Sequence, residues 1–301
     1  MASPQNNTSA RQLSVVVGSV ESSRSIASCI EAISESCRQL DAELIVVAAG
    51  VEAGVIAAAR ANPAVRLIEM PADTLTPRLW SEGLANASGT IVAFTTGHCI
   101  VERSWAPALV SAIANGAAAA GGPLRLEDNA SALDAAIFFL RYSSFIEGKP
   151  GGPVDDIAGD NAAYSRSGIP DASWSREGGF WERDVNRRIR EECKSLVWVA
   201  DAVSEFGHSF SFSSICHHRF SHGRLFGRSR VANEGESRLK IVVGSVAVPF
   251  LLALRAGRRV MGIAAYRTKY LVALPLTLVI AACWAAGEAV GAMEASVADR
   301  R

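Results

Sequence analysis

The chain has 301 residues, 49% of them hydrophobic, and its 30 basic side chains are matched by 30 acidic ones. That apolar content excludes a disordered chain, and 25 glycines without a period exclude a collagen-like one. The balance conceals two opposite pieces: residues 1–216 carry 17 basic and 25 acidic groups, a net −8, while residues 217–301 carry 13 and 5, a net +8. A basic end of this kind meets an anion, whether phosphate, nucleic acid or a membrane leaflet. Arginine outnumbers lysine 26 to 4, so the grip is by planar forks, although high genomic GC content gives the same bias.

Residues 1–12 are polar and lack an apolar core, so no cleaved signal peptide is expected and the first domain is expected to be cytosolic. A β-branched run at 13–17 ends at Gly18, and a helix is predicted over 25–40 from the spacing of Ile26, Ile30, Ile33 and Leu40. A second strand at 43–47 stops at Ala48 and Ala49. A helix at 51–61, a strand at 65–70, a helix at 77–87 and a strand at 90–95 follow. This alternation predicts a mostly parallel sheet covered on both faces, with ligands at the carboxyl ends of the strands. Beyond residue 115 it weakens into a small-residue segment at 116–123, a helix near 130–142 and a Gly/Pro-rich loop at 148–159. A helix over 180–193 and a strand over 196–203 complete this α+β part. The six cysteines form no C-x-x-C pair, and Cys216, His217 and His218 lack a second ligand pair at zinc spacing, so a reducing compartment is expected.

Past Cys216 a basic segment leads into two uncharged apolar runs, 241–254 and 271–287. The first is short for a bilayer of about 20 apolar residues and contains Pro249; with basic flanks on both sides it fits an in-plane or re-entrant segment. The second just reaches spanning length. Arg255, Arg258, Arg259, Arg267 and Lys269 between them place that loop on the cytoplasmic side by the positive-inside bias. Two helices of a soluble core also have this composition, but they would leave five unpaired cations between them.

From Leu13 to about Ala286 the order of features resembles a family 2 glycosyltransferase of the GT-A fold, in its bacterial membrane-associated form. The matching pieces are the opening strand ending at Gly18, the strand at 43–47, the helix around Arg78, the strand at 90–94, the segment Gly159-Asp160-Asn161, and the helix beginning Phe180-Trp181-Glu182. None is specific alone; their collinearity is. The resemblance implies an α/β GT-A domain over 13–216, Rossmann-like with helices on both faces. It further implies a basic juxtamembrane flap at 217–240, membrane-associated helical segments at 241–287, and polar tails at 1–12 and 288–301.

The activity so implied is inverting transfer of a sugar from a nucleotide-sugar donor to a polyprenyl-phosphate-linked or polysaccharide acceptor, as in bacterial polysaccharide biosynthesis. It would take place at the cytosolic face of the inner membrane, with anionic lipid and no nucleic acid among the partners. Inversion needs a carboxylate to deprotonate the acceptor hydroxyl, and Glu182 falls at the family's base position. On the donor side the resemblance places Gly18, Arg78, Thr96 and His98, and the downstream basic residues Arg219, His222 and Arg224 for the diphosphate. Asp160, Asn161 and Trp181 fall on the acceptor side.

Two departures stand out. Ala48 and Ala49 replace the paired aspartates that hold the nucleoside. Thr96-Gly97-His98 replaces the D-x-D that binds Mg2+ or Mn2+, hard cations that prefer oxygen ligands. These losses favour an alternative: a GT-A-like domain serving as a non-catalytic binding or scaffold subunit of a polysaccharide-assembly complex. A nucleotidyltransferase would also need carboxylate-held metal, and it lacks the usual glycine-rich opening loop here.

Overall fold

The computed structural model describes residues 11–207, 210–232 and 235–295, so most of the expected N-terminal tail and residues 296–301 lie outside it. The chain divides into two compact units, Met1–Arg125 with Glu147–Glu205, and Leu126–Ile146 with Phe206–Arg301.

In the first unit the β-branched opening run forms β1 (Leu13–Ser19), buried at every position. The predicted alternation follows as α1 (Ile26–Ser36), β2 (Ala42–Ala49), α2 (Ala53–Ala61), β3 (Val65–Met70), α3 (Thr76–Asn86) and β4 (Ile91–Thr96). After β5 (Cys99–Val101) comes a helix that the sequence reading passes over, α4 (Trp105–Ala114); Trp105, Leu109 and Ile113 repeat at i, i+4, i+8 and are buried. The small-residue segment holds β6 (Ala119–Gly121), an interior strand; a Cβ at residue 121 would lie 2.7 Å from Ile157 Cβ. β7 (Leu124–Leu126) precedes α5 (Ala132–Tyr142), the helix of the second unit that interrupts the first in sequence. β8 (Gly152–Pro153), β9 (Asn161–Ser165), α6 (Glu182–Glu191), β10 (Leu196–Trp198) and β11 (Ser204–Phe206) complete the unit; β10 stops five residues short of the expected 196–203 strand.

Eight strands form one sheet in the order β3-β2-β1-β4-β9-β6-β10-β8. β3, β2, β1 and β4 are parallel, and β9 runs antiparallel to β4 with Thr95 opposite Asn161. The strand order reverses between β1 and β4, so their carboxyl ends open a crevice there.

In the second unit α5 begins with a capping box between Ser131 and Asp134. Phe138, Phe139 and Tyr142 then pack in an aromatic cluster with Phe206, Tyr266 and Tyr270. The expected basic flap is a continuous 21-residue helix, α7 (Phe212–Ala232); α8 (Arg238–Ser245), α9 (Val248–Val260) and α10 (Ala264–Glu294) follow. Gly223 and Gly227 of α7 press on the backbone of Trp284 and Glu288, while Gly287 and Gly291 of α10 press on Phe220 and Arg224; a Cβ at any of the four would overlap the opposing chain. Contacts advance in the same sense along both helices, which therefore run parallel, each presenting a small-xxx-small stripe. Arg224 (2.6 Å) and Arg228 (2.7 Å) hold Glu294, and Arg230 pairs with the buried Glu288. Residues 288–294, expected as a tail, are thus the end of α10. Among the described residues α10 alone is long and apolar enough to cross a membrane; α8 and α9 meet that test only as a pair, bent by 62°.

Candidate active site

The crevice between β1 and β4 brings Gly18, Glu182 and the Gly159–Asp160 turn around one indole. Trp80, on the buried face of α3, donates from Nε1 to Thr95 O (3.0 Å), and a Cβ at Gly18 would lie 3.2 Å from the same nitrogen. On its other side Gly159 fits between Trp80 and the start of α6: a Cβ there would lie 2.8 Å from Trp80 Cζ3 and 3.0 Å from Glu182 Cβ. Only glycine allows the loop to pass, and Asp160 follows it, buried. Glu182 is the first residue of α6, where the helix dipole favours a carboxylate, and the last turn carries Arg188 and Arg190 to complement it. Phe180 N donates to Pro77 O (2.7 Å), tying α6 to the start of α3 and bringing the exposed Arg78 to this end of the sheet.

Beneath Glu182 runs a chain that sequence reading did not assemble. Tyr164 OH donates to Asn186 Oδ1 (2.9 Å), and Asn186 Nδ2 donates to Asp156 Oδ1 (2.6 Å) and to Ile157 O (2.9 Å). Burial, together with the negative charges of Glu182 and Asp156, pushes the Tyr164 phenol well above its ordinary value, so it remains a donor. Phe94 and Phe180 pack against the Tyr164 ring at centroid distances of 5.8 and 5.2 Å, fixing the start of α6 to the sheet.

Asn161 and Trp181 are hydrogen-bonded within the first unit. Asn161 is buried with its amide fully committed: Nδ2 donates to Pro123 O (2.8 Å) and Ala202 O (2.9 Å), and Oδ1 accepts from Trp105 Nε1 (2.5 Å). Trp181 is half-buried, its indole donating to Gly178 O (2.9 Å). Arg219, His222 and Arg224 belong to α7 of the second unit, where Arg224 pairs with Glu294.

Ala48 and Ala49 end β2 buried and without a polar side chain. At the expected metal position Thr96 and His98 are both buried; Thr96 Oγ1 donates to Cys99 Sγ (3.5 Å), and the His98 Nε2 is 2.7 Å from Val20 O. Among the described residues no three His, Cys, Asp or Glu side chains converge as ligands. A hydroxyl and an imidazole already bonded inside the fold do not fit Mg2+ or Mn2+, which call for a shell of oxygens including carboxylate.

The model of glycosyl transferase family 2 matches residues 14–171. Among solved structures, the mannosyltransferase PcManGT of Pyrobaculum calidifontis, in complex with GDP-Man and Mn2+, superposes with a TM-score of 0.50 at 16% identity, covering 91% of this chain and 87% of that one. Glucosyl-3-phosphoglycerate synthase of Mycobacterium tuberculosis, in complex with Mn2+, UDP and phosphoglyceric acid, gives 0.48 at 17% identity over 69% and 74%. No curated protein matches the sequence.

Proposed function

Because the chain belongs to glycosyl transferase family 2, whose model covers more than half of it, and has the GT-A fold, we propose that it is an inverting glycosyltransferase with Glu182 as its general base. The observation that carries this reading is a carboxylate at the first position of α6, held against Gly159 beside the carboxyl ends of β1 and β4. The acceptor oxygen attacks the anomeric carbon from the face opposite the nucleoside diphosphate. Glu182 takes the hydroxyl proton, and the anomeric C–O bond breaks with its electron pair going to the diphosphate.

A nucleotide-sugar donor, the class to which the GDP-Man of the P. calidifontis enzyme belongs, lies in this reading over Gly18 and the 96–98 turn. The N-terminus of α3 and Arg78 supply positive potential toward the departing phosphates; that first turn holds no acidic residue. Asp160 and Trp181 are on the acceptor side, and no step is routed through a metal. Arg219, His222 and Arg224 are left out of the donor site. The acceptor is lipid-linked or a growing polysaccharide, reached because the second unit of the same chain attaches to the cytosolic face of a bacterial inner membrane.

The test is turnover of a panel of nucleotide sugars with and without Mn2+. Glu182→Gln is expected to lower kcat by about 10²–10⁴-fold with donor binding retained; equal activity in the variant overturns the assignment. A second reading, a donor-less scaffold subunit, is favoured by Ala48, Ala49 and the committed His98. Titration calorimetry with nucleoside diphosphates separates the two, since the scaffold binds none.

A further inference from the structure

Resting on the membrane attachment proposed above, we propose that the second unit enters only one leaflet of an anionic bilayer, with both ends of α10 on the same side, so that α10 does not cross. Three features of this unit converge on that arrangement.

Both ends of α10 are tied to polar groups. At its start Lys269 Nζ donates to Asp128 O (2.9 Å) and Glu127 O (3.2 Å), in the loop before α5. From Cys283 onward α10 is sheathed by α7, whose Gly223 and Gly227 allow backbone contact and whose Arg224, Arg228 and Arg230 are paired to Glu294 and Glu288. Drawing that half of α10 through hydrocarbon would draw the arginine-rich α7 with it, at high cost per charge. The uncharged stretch left is 271–282, twelve residues or about 18 Å of helix. That is well short of a hydrocarbon core of about 30 Å, so the stretch lies along the interface rather than across the bilayer.

The apolar surface that remains uncovered is amphipathic rather than encircling. Along residues 239–254 the exposed large apolar side chains are Leu239, Val243, Val246, Phe250, Leu251 and Leu254, five of them spaced by three or four residues. Ile241, Pro249, Ala253 and Val260 of the same helices are buried against the unit. On α10, Leu271, Val272 and Val279 are exposed. Between α10 and the α8–α9 bend lies an apolar groove of about 510 Å³, with Val246, Phe250, Val279 and Ala282 in its walls, a volume within the range of ligand pockets.

Charge selects the partner. Residues 238–287 contain seven cations, Arg238, Lys240, Arg255, Arg258, Arg259, Arg267 and Lys269, and no carboxylate. An apolar stripe flanked by arginines lies in the interfacial plane of a membrane rich in anionic headgroups.

The experiment uses the full chain with one epitope before Met1 and another after Arg301, in sealed inside-out vesicles from expressing cells, together with flotation of purified protein on phosphatidylglycerol or phosphatidylcholine vesicles. Both epitopes are expected to be digested by added protease. Flotation should favour phosphatidylglycerol, and Val246→Glu/Phe250→Glu, both at exposed positions, should weaken it by at least about tenfold. A C-terminal epitope protected until detergent is added overturns the one-leaflet arrangement and leaves attachment standing. Protein that floats on neither vesicle and stays in the soluble fraction overturns both. Flotation unaffected by the double variant overturns the assigned surface.

Discussion

Replacing Asn161 by alanine strands two buried groups at once, the Trp105 indole N–H and the Ala202 carbonyl, while Pro123 O still accepts from Ser204 N (3.0 Å). Each stranded group costs about 1–3 kcal/mol, so Asn161→Ala is expected to lower stability by about 2 kcal/mol or more in urea titration, with activity at low denaturant retained. A Gly-Asp-Asn triplet in sequence suits sugar recognition as readily as this internal brace, and no spacing reveals that Asn161 reaches Trp105, Pro123 and Ala202.

His222 makes a different prediction. Burial, reinforced by Arg219, Arg141 and His218, holds its imidazole well below the ordinary value. A depressed value means that the unfolded chain takes up the proton first. Stability is therefore complete above about pH 6.5 and falls as pH drops toward the lower folded value. Thermal midpoints measured from about pH 7.5 down to about pH 5.5 should decline in the native protein and decline less in His222→Gln. Glu182 could be proposed from the sequence because the family resemblance rests there on one helix-start motif. The Asp156–Asn186–Tyr164 chain was not, because its members come from three separate segments and no spacing unites them.

Among elements, the parallel pair α7 and α10 is the most sensitive to side-chain size. Gly287→Leu inserts a side chain where a single Cβ already overlaps the Phe220 backbone. The helices must separate and loosen the Arg230–Glu288 pair, so the loss should exceed the roughly 1–3 kcal/mol of ordinary overpacking. Circular dichroism melts of Gly287→Leu beside Gly244→Leu, a position with open space around it, would check this. The alternating strands and helices up to β4 were readable because period and punctuation agree along 13–96. The α7 helix was not. Its hydrophobic pattern has no apolar face, since glycine rather than leucine makes the contact, and the histidines and arginines gave the appearance of a loop. For a like reason β6 was hidden in a run of alanine and glycine, whose small size answers to close packing instead of turn chemistry.

For the whole molecule, α5 belongs with helices that follow it by many residues, although it is inserted in the sequence of the first unit. Deleting 207–301 is therefore expected not to leave a trimmed soluble catalytic domain. Phe139 would lose Tyr266 and Tyr270, and the truncated chain should aggregate, as light scattering and size exclusion would report. If the proposed reaction proceeds without a metal, a chelator should leave donor binding by calorimetry unchanged, whereas a carboxylate-held cation would make binding collapse.

The same interruption sets a timetable for synthesis. Tyr142 closes α5 and Ala264 opens α10, 122 positions later, which a ribosome adding about 5–20 residues per second needs roughly 6–24 s to reach. Until Phe206 is made, 64 positions after Tyr142, the aromatic side of a finished helix has no later partner, and until α10 is made it still lacks Tyr266 and Tyr270. The nascent chain thus presents a sticky intermediate, long-lived compared with microsecond collapse, and its yield in cells should depend on a chaperone that holds residues 132–142 until the last helix emerges.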